Sequence, residues 1–289
     1  MKVLFGYNGS KAADAAIEDM KAAGLPKDSD VLVLTVAETW SSAEQDVPKA
    51  LRMANEAADR LHFHFGEGDV TFRASFGSPA AEILSVSEQF HPDLIVLAER
   101  EQSLSERNIF LGTTTQKVLT EAACSVRISR ARDRSESSVP RLIIGFDGSA
   151  GSHAAVENVA GRSWPTDTEI CLAVVADNAA LTSLGRFAPQ MSNPKFAPKV
   201  AVQWGKALAD NSLRKLSRTG LNVDVCVTTG SAKDVLVELG RSLNADSVFV
   251  GPHCAGNSFE RFLVGSVSSA VAARAECSVE IVRGDFVPQ

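Results

Sequence analysis

The chain repeats itself, and the repeat sets the unit that has to fold. KVLFGYNGS at 2–10 returns as RLIIGFDGS at 141–149, a shift of 139 residues. GSPAAEIL at 77–84 returns as GSAKDVL at 230–236, and HPDLIVLA at 91–98 as NADSVFVG at 244–251. FLGTTTQKVLTEAACSVRI at 110–128 returns as LVGSVSSAVAARAECSVEI at 263–281, and these later matches share a shift of 153. The second copy is therefore 14 residues longer between its first two matched blocks. The extra length falls at 177–199, where Gly185, Pro189, Asn193, Pro194 and Pro198 give loop chemistry. ARDRSESSVP at 131–140 is polar, charged and closed by proline, which reads as a linker. Two domains follow, 1–130 and 140–289 of the 289 residues, each long enough to bury its own core.

Within one copy, short apolar runs alternate with helical stretches. VLF at 3–5, VLVLTV at 31–36, VTFRASF at 70–76, LIVLA at 94–98 and SVRIS at 125–129 read as strands buried on both faces. Alanine-rich 10–23, the stripe Leu51, Ala54, Ala58, Leu61 in 48–64, and the stretches 79–90 and 113–123 read as helices. The order βαβαβαβαβ, given twice, predicts an α/β protein. Its two tandem Rossmann-like domains each have a five-stranded, mainly parallel sheet flanked by helices. Ligands of such sheets lie beyond the carboxyl ends of the strands where strand order reverses. That puts the turns after the first and fourth strands at the expected site.

The formal net charge of −6 and the lack of a Lys/Arg-rich run argue against broad nucleic-acid binding. No apolar run approaches the roughly 18–20 residues of a membrane span, and Val3 to Phe5 is too short for a signal-peptide core, so a cytoplasmic protein is expected. The five cysteines, Cys124, Cys171, Cys226, Cys254 and Cys277, form no C-x-x-C pair, which disfavours structural disulfides and a zinc site. His62 and His64 alternate without a third ligand, so a solvated or partly packed face is preferred over a metal site. Gly9-Ser10-Lys11 is not a complete phosphate-loop motif, and no nucleophile elbow surrounds Ser10 or Ser149. No catalytic residue is assigned.

The ordered set of turns resembles the universal stress protein family over nearly all of both halves. In that family an apolar strand ends in Asp-Gly-Ser. A later strand is followed by Gly-x-x-Gly, about nine residues, and Gly-Ser or Gly-Thr at the last helix. In the second copy Asp147 stands at the acidic position, Gly251 at the first glycine, and Gly265 and Ser266 at the Gly-Ser pair. Cys254 replaces the second glycine, with Gly256 nearby, and ten residues rather than nine precede Gly265. The resemblance implies an adenine-nucleotide site, ATP included. Phosphates would sit at Gly265, Ser266 and the Val267 N–H, and the adenosine part at Asp147 and backbone near Val175. A glycine at a helix entrance admits an anion to unpaired N–H groups that the helix dipole favours. Asp147 could instead serve only an Asx turn or cap, and Gly265-Ser266 only a helix start. Arg261 and His253 could touch phosphate or lie in solvent.

The first copy departs further. Asn8 replaces the acid, Ala98 and Glu101 the two glycines, and Thr113 the serine, with Glu99 between. A carboxylate about 4 Å from a phosphate charge costs roughly 1–4 kcal/mol. The expectation is an ATP-binding stress or signalling protein that uses its second copy. A nucleotide-free interaction scaffold and a slow ATPase remain as alternatives. Family domains pair through their last strand, which implies an internal pseudo-dimer through 125–129 and 278–283, with further dimerisation of the chain left open. The 177–199 insertion could be a lid or inert.

Overall fold

The structure is a computed structural model that describes residues 1–38, 43–99, 111–130, 139–176, 197–252 and 265–284. The first copy runs β1 Lys2–Gly6, α1 Lys11–Ala22, β2 Asp30–Glu38, α2 Ala43–His62, β3 Val70–Gly77, α3 Pro79–Phe90, β4 Leu94–Ala98, α4 Thr113–Glu121 and β5 Ser125–Ser129. The second runs β6 Arg141–Phe146, α5 Ala150–Ala160, β7 Glu169–Ala176, α6 Ala197–Ser217, β8 Asn222–Thr229, α7 Ala232–Ser242, β9 Ser247–Val250, α8 Ser266–Arg274 and β10 Ser278–Ile281. Much of the 131–140 linker and of the 177–199 insertion, along with Glu101, His253, Cys254, Gly256 and Arg261, lies outside the described residues.

All ten strands form one sheet in the order β3-β2-β1-β4-β5-β10-β9-β6-β7-β8. Each copy is parallel within itself, and its order reverses between its first and fourth strands. This is the tandem Rossmann-like arrangement expected from the repeat. β5 and β10 join the halves antiparallel, with Ile128 opposite Val279, Arg127 opposite Glu280 and Val126 opposite Ile281. Both strands are therefore interior, and every residue in them is buried.

Strand sequence matches strand position. β1, β4, β6 and β9 are apolar runs in the sheet interior with helices on both faces, and their central residues lie fully out of water. β3 differs from the sequence expectation. It is the outermost strand and largely exposed, with Phe72 and Phe76 reaching solvent. Arg73 within VTFRASF fits that edge better than a two-sided core. α2 also differs, starting at Ala43, upstream of Pro48. The apolar stripe marked the helix only from residue 48, and the structure carries Pro48 inside it. One apolar cluster contains Val126, Ile128, Val279 and Ile281 and continues without a break from the first copy into the second.

Candidate site in the second copy

The site begins with a turn. Gly148, at φ +79°, takes the left-handed conformation that lets β6 end sharply. The Asp147 carboxylate accepts the Ser149 N–H at 2.9 Å. The Ser149 hydroxyl then caps α5 by accepting the Ser152 N–H at 3.2 Å, and the Ser152 hydroxyl donates to the Ser149 carbonyl at 2.9 Å. The first copy builds the same turn, with Asn8 accepting the Ser10 N–H at 3.1 Å and Gly9 at φ +69°. The acid is thus not needed for the turn, because an amide oxygen serves there equally well.

The second element is the start of α8. Gly265 is its N-cap at φ −64°, ψ 160°, and among the described residues no side-chain cap is present. The leading N–H groups of such a helix are left to water or a ligand. Between this helix and the β6 turn is a cleft of about 560 Å³, counted with its open mouth. Four of the six residues expected from sequence line it: Asp147, Val175, Gly251 and Val267. Gly265 and Ser266 stand at the entrance of the helix whose next residues, Val267 and Ser268, form the wall. Sequence reading missed Ser152, Ala173, Ala232, Leu236 and Ser268, which also line the cleft. Ala173 carried a signal, because it lies two residues before Val175 on the same face of β7.

The cleft has an apolar floor, a carboxylate at one side and an uncapped helix start at the other. That set can hold a flat apolar ring, a hydroxyl and an anion. Among the described residues no cluster of His, Cys, Asp and Glu could hold a metal ion. His64 packs edge-on against Phe65, with ring centroids 4.7 Å apart.

Gly251 has a further duty. A Cβ there would fall 2.1 Å from the Gly151 carbonyl carbon, and one on Gly151 would fall 2.4 Å from the Pro252 oxygen. The first turn of α5 lies backbone to backbone against the end of β9, and only glycines allow it.

The matching region of the first copy is filled. Leu34 stands for Ala173, Pro79 for Ala232 and Leu97 for Val250. Leu34 is buried in the core there. Glu99 lies beside the start of α4, with its Oε1 3.4 Å from where a Gly112 Cβ would be. Its Oε2 is buried with no hydrogen-bond partner among the described residues. A carboxylate thus stands beside this helix start, where the second copy has Pro252 at the matching position.

The residues of this chain fit a known family model, "Universal stress protein family", over 1–130 and 139–283. The chain belongs to the universal stress protein family. A putative universal stress protein of Staphylococcus epidermidis is 29% identical over 154 residues, 53% of this chain and 89% of that protein. A counterpart from Staphylococcus aureus is 28% identical over 155 residues, 51% of this chain and 89% of its own length. Each relative therefore matches about half of the tandem chain. Among solved structures, a universal stress protein from Archaeoglobus fulgidus superposes with a TM-score of 0.65 at 20% identity, covering 98% of both chains. A functionally unknown protein from Pseudomonas aeruginosa gives 0.63 at 15% identity, covering 97% of this chain and 92% of its own. These two likenesses show the fold.

Beneath the cleft, β7 and β8 place two thiols on one face, with Cys226 opposite the floor residue Ala173 and Cys171 one step away. The side chains of Cys171 and Cys226 interact across the two strands. That contact holds Cys226 down to about 7 against the opposing effects of burial and Asp224, and it raises Cys171. The thiolate of Cys226 should therefore grow as pH rises through 7. Iodoacetamide is expected to modify Cys226 before Cys171, with a rate midpoint below that of an ordinary thiol, as followed by peptide mass spectrometry. Cys171→Ala should move the midpoint upward. A midpoint unchanged by Cys171→Ala would show that the sulfur contact is not the cause.

Proposed function

We propose that this universal stress protein binds one adenine nucleotide, ATP among them, in the second copy and acts in stress response or signalling through that occupancy. The observation that carries the reading is the cleft that gathers Asp147, Val175, Gly251 and Val267 beside the uncapped start of α8. The apolar floor suits the base, and Asp147 can accept from a ribose hydroxyl. The N–H groups after Gly265, with the Ser266 hydroxyl, suit phosphate. The first copy, with Leu34 and Glu99 in the corresponding places, is assigned no nucleotide. We further take the two copies as one intramolecular pair through β5 and β10.

Equilibrium dialysis with ATP tests this. One nucleotide per chain is expected. Gly265→Asp places a carboxylate against the phosphates, at a cost of roughly 1–4 kcal/mol, and should weaken binding at least about fivefold. Mass spectrometry of the small molecule released on denaturing freshly purified protein gives an independent readout. One observation favours the scaffold alternative: one Asp147 oxygen already serves the Ser149 N–H. No binding at millimolar ATP would select that alternative.

A further inference from the structure

The seam between the copies is two-fold symmetric at its rim. Arg130 donates to the carbonyls of Cys277, at 3.3 Å, and Ala272. Arg283 donates to those of Cys124, at 3.1 Å, and Leu119, at 2.5 Å. These residues correspond one to one under the 153-residue shift. The Arg130 N–H donates to the Ser278 hydroxyl and the Arg283 N–H to the Ser125 hydroxyl, at 3.1 and 3.0 Å, which is the same exchange again. Seen from the rim alone, either copy could pair with a second example of itself.

The centre of the seam is not symmetric. The local two-fold axis passes between Arg127 and Glu280, which occupy the same position in the two copies and face each other across the strands. Arg127 Nη1 lies 3.5 Å from Glu280 Oε2, with the two side chains 1% and 0% exposed. Arg127 grips Asp19 with two bonds of 2.8 Å, and Arg162 binds the other oxygen of Glu280. Along this row the charges alternate: Asp19, Arg127, Glu280, Arg162. The counterparts follow suit. Asp19 corresponds to neutral Asn158, and Arg162 to Ala23. Each copy thus keeps an opposite charge beside its own central residue and none where it would meet its own kind.

Cross-copy bonds add direction. The Ser278 hydroxyl donates to Asp19 and Arg127 donates to the Ser247 hydroxyl, each at 2.8 Å, while Arg162 donates to the Ala23 carbonyl at 3.0 Å. Pairing two first copies would set Arg127 against Arg127 and put Leu94 where Ser247 receives its bond. Pairing two second copies would set Glu280 against Glu280 and bring Arg162 into the space held by Ala23. A like charge directly opposite in a dry seam is strongly unfavourable, and such repulsion is how interfaces reject wrong partners.

We propose that the Asp19–Arg127–Glu280–Arg162 row is a matching code. The last-strand surface of each copy accepts a partner of this fold carrying the complementary central charge, and rejects its own like. The tandem chain supplies that partner from within itself. The proposal does not depend on nucleotide binding.

Two full-length variants test it. In one, Asn158→Asp, Arg162→Ala and Glu280→Arg give both copies the first copy's set. In the other, Asp19→Asn, Ala23→Arg and Arg127→Glu give both the second's. Each alone should lose the closed seam and show a larger Stokes radius. Mixed in equal amounts, they should form a one-to-one heterodimer by native mass spectrometry. Retention of the wild-type radius by either variant alone, or failure of folded variants to combine, overturns the proposal. Should neither fold alone or mixed, Arg127→Leu, Glu280→Leu and the double variant decide by urea unfolding. Coupling of about tenfold or more in the folding constant supports the code, and anything less overturns it.

Discussion

Gly251→Ala is expected to destabilise the protein by about 3 kcal/mol, the upper end for overpacking. The added methyl would meet main chain, with the Gly151 carbonyl carbon 2.1 Å and its oxygen 2.3 Å from the new Cβ. Backbone cannot rotate aside as a side-chain tip can, so α5 must lift from β9. Lifting α5 would disturb Ala155, Val156 and Val159, which are buried in the same core as Phe249. The first copy provides the control. Its corresponding residues are Ala12 and Ala98, and Ala98 is carried there without a glycine partner. Ala98→Gly should cost about 1 kcal/mol or less, from backbone entropy and one lost methyl. Urea unfolding would show a lower midpoint for Gly251→Ala at an unchanged slope. A midpoint equal to wild type would mean that α5 does not approach β9 so closely. The family resemblance placed Gly251 among the nucleotide-binding residues, a role that predicts lost binding at unchanged stability. The contact with Gly151 predicts lost stability first.

The contrast shows what could be read from the residues and what could not. Strands buried on both faces announce themselves as unbroken apolar runs, and their repetition gave the parallel halves and their order. The turn chemistry was equally local: Asp147-Gly148-Ser149 needs only its own side chains to close and cap α5. β3 was misjudged because an apolar run does not say how many neighbours its strand has. The floor of the cleft was missed for a similar reason. Ala173, Leu236 and Ser268 come from three elements, and nothing local marks their convergence. Nor does a lone Arg in SVRIS declare itself buried. It becomes legible only when Glu280 is found at the same position of the other copy and the two strands are paired.

Ala173→Leu is expected to close the second copy to nucleotide while leaving the fold intact. Ala173 lies in the floor of the cleft, between Val175 along its own strand and Leu236 on α7. The first copy has already made this change, since Leu34 sits at the matching place on β2 and is buried in the apolar cluster. A leucine adds three carbons, which would extend into the space proposed for the base. Ala173 is buried beside Leu236, so the longer side chain must turn into the cleft, and a stability cost of about 1–3 kcal/mol is expected. Any base forced out would forfeit its apolar burial, at about 25 cal/mol per Å². Over roughly 100 Å² of ring surface this comes to about 2.5 kcal/mol, a loss of affinity on the order of fiftyfold. Calorimetric titration with ATP against wild type, with urea unfolding of both proteins, measures the two quantities separately. Lost binding with the fold retained would locate the base over Ala173. Unchanged binding would move it out of the cleft, and with it the role assigned to Asp147.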